Sequence, residues 1–511
     1  MKGEPAIFAR TLALAGAVLI TLSACNGGSS LPAALSWSAA GAWSDAGCRV
    51  APASPPHAPA YAATTWPSER ADQWRTAAAD TGLAAIRGPL HVASAKLPPV
   101  PVWGYVGVDG DLYVLGGAPY FLDVFTKLIL GAPTSSLRRL AVESRRYANR
   151  LTPYVARIDP STMRVTTLQL TQTSSSNYIG GMLVDANGYL YAVARGVLYK
   201  IDPKPFSIVA SKRLPLPPND LGKPNDRVAF NGMQATLDGD LLLKGFAPLG
   251  HGKGILLRID PDDLSILATA ESSQIAGARM ALTLQEDREY VYLAGATESI
   301  RYLTEAREFK LDGGYSQQYL YPSSGDTEGT SDIFMGRGIV FTNNTSPEAT
   351  SPMSLFAQGD FEGAQLRSQP AFSGSGAGWN FFMATGDPFK TGILAVQNQA
   401  NGHIAGFVAC NGGITAKKLW ENDTIENSAG LAIDYADGQL YADDHRCASK
   451  HSCRLSFVVL DLRTGKEIAR TRVAGNEPSV GQIFIGPHRR VFYLATDTDR
   501  PNGFISRVSA P

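Results

Sequence analysis

The stretch from Gly180 to Pro215, GGMLVDANGYLYAVARGVLYKIDPKPFSIVASKRLP, decides the fold of this 511-residue chain. It divides into four segments in which apolar residues alternate with other residues, which is the period of a β-strand. Asn187 and Gly188 separate the first two segments and supply the positive φ that a tight hairpin requires. The stretch predicts a four-stranded antiparallel sheet, which needs neighbouring sheets to bury both of its faces.

The opening strand and hairpin of this stretch occur eight times along the chain. The repeats begin at Trp103, Gly180, Asn231, Met280, Asp332, Asn380, Ala429 and Val480. Matching glycines are 51 residues apart, from Gly181 to Gly232 and again from Gly430 to Gly481. A period near fifty with four strands per repeat is typical of propeller blades. The sequence therefore predicts an all-β propeller of eight four-stranded blades.

The last blade lacks a fourth strand, because the chain stops at Pro511. The segment HVASAKLPPVP, from His91, closely copies IVASKRLPLPP, from Ile208, which is the fourth strand of the founding repeat. We expect the segment from His91 to pair into the last blade and close the ring, since this protects two otherwise open sheet edges.

Blade one is interrupted by residues 120–150. Two helices are predicted there, over 120–130 and 135–149, and the second carries Arg138, Arg139, Arg145, Arg146 and Arg150. This insertion either packs over one propeller face with its arginines in solvent or contacts a partner or anionic lipids.

Residues 1–25 have the basic start and short apolar run of an export signal, too short to span a membrane. The tetrapeptide Leu22-Ser23-Ala24-Cys25 resembles the lipobox of bacterial lipoproteins, which implies cleavage before Cys25 and lipidation of its thiol. Asn26 follows where an Asp would resemble an inner-membrane retention signal. We therefore expect a lipid anchor in the cell envelope, at the outer membrane, facing the periplasm or the cell surface. An ordinary secretory signal is the alternative.

Residues 26–66 are rich in small residues and proline and predict a tether. Ser68 is a candidate N-cap, which predicts a helix within residues 67–85 that packs on the outside of the domain. The propeller then occupies residues 86–511.

Four cysteines remain apart from Cys25, and an even number in an exported chain predicts two disulfides. Cys447 and Cys453 share a short loop, so we pair them with each other and pair Cys48 with Cys410. The second bond would hold the chain between residues 48 and 91 against the propeller. A metal site is the alternative, because His445 and His451 lie beside Cys447 and Cys453.

Lysine plus arginine and aspartate plus glutamate both number 46, so no overall field attracts nucleic acid. The sequence also lacks a nucleophile elbow, a phosphate loop, a metalloprotease helix and a redox cysteine pair.

A polar set is expected at the mouth of the channel, on the loops that lead into the first strands. Its members are Asn177, Asn225, Asp226, Glu328, Asp332, Asn380, Glu426, Asn427 and Glu477. Converging carboxylates and amides can coordinate calcium, with Glu328, Glu426 and Glu477 as the candidate ligands. The alternative is that these residues satisfy backbone groups and bound water in turns.

The blade spacing over residues 86–511 and the hairpin VLDLRTGKEIART, from Val459, resemble bacterial eight-bladed propellers of the quinoprotein-like and YVTN-like kind. Quinoprotein dehydrogenases would add a Trp-docking motif in most blades and a quinone-stacking Trp beside calcium ligands, and these blades do not repeat that Trp. The architecture is similar to the scaffold lipoprotein of the outer-membrane barrel-assembly machinery. The run KPNDRVAFNGMQATLDGDLLL, from Lys223, resembles calcium-dependent lactonases of the SMP-30 and gluconolactonase group.

Together these features favour a membrane-tethered, non-catalytic propeller that binds a protein or a small ligand through one face. The alternative is a calcium-dependent lactonase or hydrolase that acts through an acidic channel mouth.

Overall fold

A computed structural model of the chain describes sixteen stretches of residues. These are 53–55, 58–117, 151–171, 179–216, 229–246, 254–272, 279–285, 287–294, 298–318, 333–342, 352–361, 363–374, 384–410, 415–449, 452–497 and 502–511. Two compact units divide the chain, Met1–Ser38 and Ala39–Pro511, and the described residues all belong to the second. The predicted signal segment and the predicted helical insertion at 120–150 lie outside them.

Two strands precede the blades, β1 (Ala78–Ala79) and β2 (His91–Leu97). Blades 1 and 2 contain β3 (Pro101–Val106), β4 (Leu112–Gly116), β5 (Tyr154–Ile158) and β6 (Val165–Gln169), then β7 (Ile179–Val184), β8 (Leu190–Ala194), β9 (Val197–Asp202) and β10 (Ser207–Arg213). Blades 3 and 4 contain β11 (Ala229–Ala235), β12 (Leu241–Phe246), β13 (Gly254–Ile259) and β14 (Ile266–Ser272), then β15 (Met280–Gln285), β16 (Arg288–Ala294), β17 (Glu298–Leu303), β18 (Lys310–Leu311) and β19 (Gln317–Gln318). One turn of 3-10 helix, Glu305–Arg307, lies in blade 4.

The second half of the ring repeats this order. Blades 5 and 6 contain β20 (Ile333–Phe334), β21 (Gly338–Thr342), β22 (Ser354–Gly359) and β23 (Arg367–Pro370), then β24 (Thr385–Gly386), β25 (Ile393–Asn398), β26 (His403–Cys410) and β27 (Thr415–Asn422). Blades 7 and 8 contain β28 (Ala432–Asp434), β29 (Gln439–Ser449), β30 (Ser452–Asp461) and β31 (Glu467–Arg472), then β32 (Glu477–Gly486), β33 (Arg490–Asp497) and β34 (Asn502–Ser509). These sheets confirm the predicted eight-bladed all-β propeller.

Each blade runs from a buried first strand at the axis to a partly exposed outer strand. In blade 2, every residue of β7 is buried, whereas β10 has only half-buried and exposed positions. Gly188 has a φ of 90° in the turn between β7 and β8, as the Asn-Gly pair predicts. Between blades the sheets pack closely: a Cβ added to Gly104 would lie 2.2 Å from Cε1 of Phe484, so blades 1 and 8 touch where only glycine fits.

The ring closes through β2, as the copied sequence predicts. This strand pairs antiparallel with β34 along its whole length, from His91 opposite Ser509 to Leu97 opposite Gly503. The order of blade 8 is therefore β2-β34-β33-β32, and its outer strand comes from the N-terminal side of blade 1. Because one sheet contains both ends of the propeller sequence, neither end leaves an open first or last blade.

The helix predicted within residues 67–85 does not form, and this segment is not on the outside of the domain. Residues 58–83, here called the axial segment, run inside the ring without a helix. Ala71, Arg75 and Ala77 have φ values of 70°, 63° and 51°, which no right-handed helix accommodates. The tether predicted over 26–66 also ends earlier, because Tyr61, Ala62 and Trp66 are buried.

The axial segment contacts the first strand of every blade, which places it at the axis. Backbone bonds join Val106 N to Trp66 O, Val184 N to Pro67 O, Leu282 N to Gln73 O, Phe334 N to Trp74 O, Gly386 N to Thr76 O and Ile433 N to Ala77 O. Side chains reach the other two blades: the Tyr61 hydroxyl accepts from Ala235 N at 2.8 Å, and Thr65 Oγ1 donates to Ile485 O at 2.9 Å. The polar backbone groups of the segment therefore bond to the surrounding strands, and this overrides its helix propensity.

No helix among the described residues has the length and apolar character needed to cross a bilayer.

Candidate functional site

Charged side chains of the axial segment fill the channel. Glu69 Oε1 lies 2.7 Å from Nε of Arg279 and 3.6 Å from Arg75 Nη2, and all three side chains are buried. Arg70 donates to Ala384 O at 3.0 Å and to the Thr385 hydroxyl. Burial and the charge of nearby Arg75 lower the pKa of Arg70 to about 9. These charged groups contact one another and the inner strands. The part of the axis that they occupy is therefore a structural core.

A quinone on the axis would need an open tryptophan face, and the described residues do not fit this requirement. Trp66 and Trp103 are fully buried, and the Arg279 guanidinium carbon lies 4.5 Å from the centroid of the Trp103 ring. Trp74 is stacked on Phe389, with ring centroids 5.8 Å apart. No reaction step is therefore assigned to a quinone here.

Blade 7 carries a hairpin that extends beyond its neighbouring strands. β29 and β30 pair from Gln439 opposite Asp461 to Ser449 opposite Ser452. Within the blade, β28 pairs only with residues 439–441 of this hairpin and β31 only with residues 456–460. Arg446, Ala448 and Arg454 are exposed. Neighbouring chain still flanks the hairpin at His445, whose N–H donates to Glu426 O at 3.0 Å, and at Leu455, whose carbonyl oxygen accepts from Val473 N at 3.3 Å. At about 3.3 Å per residue, the part beyond these two residues projects on the order of 10 Å.

Two carboxylates anchor the base of this hairpin. Asp443 accepts the backbone N–H groups of Ser428 at 2.8 Å and Ala429 at 3.0 Å, and its Oδ2 accepts the Tyr493 hydroxyl of blade 8 at 3.0 Å. Burial raises the pKa of Asp443 despite these bonds. Asp444 accepts from Arg470 at 2.6 Å and Arg446 at 3.0 Å. Burial alone would raise the pKa of Asp444, but its bonds from the Glu426 N–H and the two arginines hold the pKa below its ordinary value.

Near the tip, a cross-strand disulfide joins Cys447 and Cys453, as the short loop predicts. His445 Nε2 lies 3.5 Å from Cys447 Sγ and 3.5 Å from Glu477 Oε2, at the start of blade 8. His445 and Glu477 are buried, while both cysteines are half-buried. This is the one group of three or more His, Cys, Asp or Glu side chains in the described part of the chain with ligand atoms close enough for one ion.

Three of the nine residues proposed for the channel mouth are described, and they have different surroundings. The Asn427 amide donates to Gln397 Oε1 at 2.7 Å and Ala429 O at 3.0 Å, so it holds the turn into blade 7. Glu426 is exposed, and Glu477 faces His445. The other six lie outside the described residues: Asn177, Asn225, Asp226, Glu328, Asp332 and Asn380. The calcium site built from Glu328, Glu426 and Glu477 stays a prediction.

The other proposed residues have mixed outcomes. Cys410 is buried in β26 and disulfide-bonded, and its pairing with Cys48 stays a prediction because Cys48 lies outside the described residues. His451 and Cys25 also lie outside them. The contact between His445 and Glu477 was not predicted as a pair, although both residues were noted, since it joins two blades whose packing the sequence does not specify.

The fold and the arrangement of its strands define a class of protein, the eight-bladed β-propeller. No protein-family model matches the chain, and no curated protein matches it in sequence.

Among solved structures, the chain is similar to quinohemoprotein alcohol dehydrogenase from Comamonas testosteroni, with a TM-score of 0.56 and 12% identity over 87% of this chain and 80% of that one. It is also similar to a europium-containing methanol dehydrogenase, with a TM-score of 0.54 and 10% identity over 87% of this chain and 98% of that one. At these identities the likeness shows the fold alone.

Proposed function

We propose that this protein is a lipid-tethered binding module of the cell envelope that holds a protein partner through the hairpin of blade 7. The observation that carries the proposal is the projection of β29 and β30 beyond β28 and β31, with its tip stapled by Cys447 and Cys453. A two-stranded projection that is cross-linked by a disulfide is ordered before it binds a partner, so little conformational entropy is lost on binding.

The charge pattern of the hairpin favours a protein partner. Arg446 and Arg454 are exposed on opposite strands at the tip, directly across from one another. Arginine is enriched where proteins contact each other, because its guanidinium makes several hydrogen bonds and stacks on aromatic rings. The buried charges of the axial segment support the same conclusion, since they leave the loops and the hairpin as the surface for recognition.

The tether is supported by the N-terminal sequence. The basic start, the apolar run and the tetrapeptide ending in Cys25 together favour a lipid anchor, and Asn26 favours the outer membrane. A calcium-dependent lactonase remains the alternative function, and no geometry of the described residues favours it over binding.

A photoreactive side chain placed at Arg454 in cells that make the protein tests the proposed function. We expect it to capture one discrete protein, and Arg446→Glu to lower the yield at least tenfold. The matched control places the same group at Val209, which is 51% exposed on the outer strand of blade 2. The purified captured protein should then bind the full chain and lose at least tenfold in affinity with Arg446→Glu. Equal capture at both positions, or none at Arg454, would refute the proposal.

A further inference from the structure

The group at the hairpin tip contains four potential metal ligands of three types from two blades. Cys447 and Cys453 come from facing positions of β29 and β30, His445 from β29, and Glu477 from β32 of blade 8. Their ligand atoms all lie within 4.8 Å of one another. In the disulfide form the two sulfurs are bonded to each other, so they offer no thiolate to an ion.

The distances suit a tetrahedral zinc ion once the sulfurs are thiolates. Ligands at about 2.0 to 2.3 Å from zinc lie about 3.3 to 3.8 Å from one another in a tetrahedron. His445 Nε2 lies 3.5 Å from both Cys447 Sγ and Glu477 Oε2. Two thiolates, an imidazole and a carboxylate also match the ligand preference of Zn²⁺ better than that of Ca²⁺ or Mg²⁺. The exposure of the cysteines matters too, because a half-buried disulfide can be reached by a reductant.

We propose that Cys447, Cys453, His445 and Glu477 form a zinc site that is closed when the disulfide is intact and opens when a dithiol reduces it. In the first step a dithiol gives two electrons and two protons to the Cys447–Cys453 bond and becomes a disulfide itself. In the second step Zn²⁺ binds the two cysteine sulfurs and releases their two protons. The His445 proton moves to Nδ1, and the contact between Nε2 and the Asn476 carbonyl oxygen, 3.1 Å in the disulfide form, is given up.

The two states connect the hairpin to the propeller differently. The disulfide joins only β29 to β30, within blade 7. Zinc would also join both strands to Glu477 and hence to blade 8, so that metal–ligand bonds would hold the hairpin of blade 7 against blade 8. Because zinc binds only the reduced form, it also shifts the redox equilibrium: at a free concentration 100 times its Kd, the ratio of reduced to oxidised protein rises about 100-fold.

The test uses the full chain reduced with a phosphine and titrated with Co²⁺ alone, which reports tetrahedral thiolate coordination by its visible and near-ultraviolet bands. We expect one equivalent to bind, Zn²⁺ to displace it, and the unreduced protein to show no band. Cys447→Ser should abolish the band, and Glu477→Gln should weaken Co²⁺ binding at least tenfold. Two control variants should bind Co²⁺ as the wild type does. They are Glu467→Gln, on the outer strand β31 of blade 7, and Cys410→Ser.

The circular dichroism of the aromatic side chains monitors folding of every variant and of the reduced protein. Several results would overturn the proposal: no binding to the reduced protein, unfolding on reduction, wild-type affinity in Glu477→Gln, or loss of the band in Cys410→Ser. As an independent readout, the Cys447–Cys453 couple is equilibrated in dithiol redox buffers with and without Zn²⁺. The 100-fold shift should appear in the wild type and shrink at least tenfold in Glu477→Gln, and an equal shift in both would also contradict the proposal.

Discussion

Glu69 of the axial segment and Arg279 of blade 4 form a buried ion pair on the propeller axis, with Oε1 and Nε 2.7 Å apart. The same guanidinium lies over the Trp103 ring of blade 1. One arginine therefore joins the axial segment to two blades that are three positions apart in the ring. The same carboxylate also faces Arg75, whose Nη2 lies 3.6 Å from Oε1 and whose side chain is fully buried.

Glu69→Gln should destabilise the protein strongly, because it leaves Arg279 and Arg75 buried without this carboxylate. Breaking a buried ion pair by removing one partner costs about 3 to 5 kcal/mol. The control is Glu305→Gln, which breaks the exposed pair with Arg288 and should cost less than about 1 kcal/mol. Urea unfolding of both variants measures the difference, and equal midpoints would show that the pair on the axis is not a structural element.

The carboxyl group of Asp434 should make stability depend on pH. Burial is the main cause that raises its pKa to about 6 in the folded protein, above the value of about 3.9 in the unfolded chain. The folded state therefore takes up this proton first, and the cost of the buried charge disappears as pH falls from 7.5 towards 5. Asp434→Asn removes that charge at every pH, so it should be more stable than the wild type at pH 7.5, and this advantage should shrink by pH 5.

A second carboxylate provides the control for this pH dependence. Hydrogen bonds from Ser161 and Thr162 hold the pKa of Asp159 below its ordinary value. The stability that Asp159 contributes is then present above about pH 4 and is lost only below it. The difference between the wild type and Asp159→Asn should be constant from pH 7.5 to 5. A parallel trend in both variants, measured by urea unfolding, would contradict the effect assigned to Asp434.

The pairing of the closing strand β2 with β34 can be tested by an engineered disulfide between the two strands. Ser94 and Ser506 are directly opposite in β2 and β34, with their hydroxyl oxygens 2.8 Å apart. The double variant Ser94→Cys/Ser506→Cys should form a disulfide without rearrangement and stabilise the ring by about 2 to 4 kcal/mol. Ala93→Cys/Ser506→Cys is the mismatched control, because neighbouring residues of a strand point to opposite faces. Mass spectrometry after alkylation of free thiols distinguishes the two, and bonding in the mismatched pair alone would show a shifted register.

The proposed lipid anchor can be tested at Cys25. Cys25→Ser removes the thiol that the N-terminal pattern predicts to be acylated, so the precursor should stay uncleaved and carry no lipid. Cys48→Ser is the matched cysteine control and should be processed normally. Membrane fractionation with mass analysis of the N-terminus reads out both properties, and a processed, membrane-bound Cys25→Ser protein would exclude the anchor.

The sequence by itself determined the blades, the closing strand and the disulfide at the hairpin tip. Each of these depends on local information: alternation within a strand, an Asn-Gly or Asp-Gly turn between strands, a copied segment at His91, and two cysteines six positions apart. A hairpin needs only its own residues to specify its register, because the turn and the buried face determine which residues pair.

Only the tertiary structure decided the course of the axial segment and the group around His445. The residues from Ser68 onward favour a helix when taken alone, but their backbone groups bond to first strands that lie up to about 350 residues away in the chain. In the same way, Glu477 meets His445 because blades 7 and 8 pack side by side. Contacts of this kind depend on how the whole ring is assembled, and neither the propensity of a segment nor the spacing of its residues encodes them.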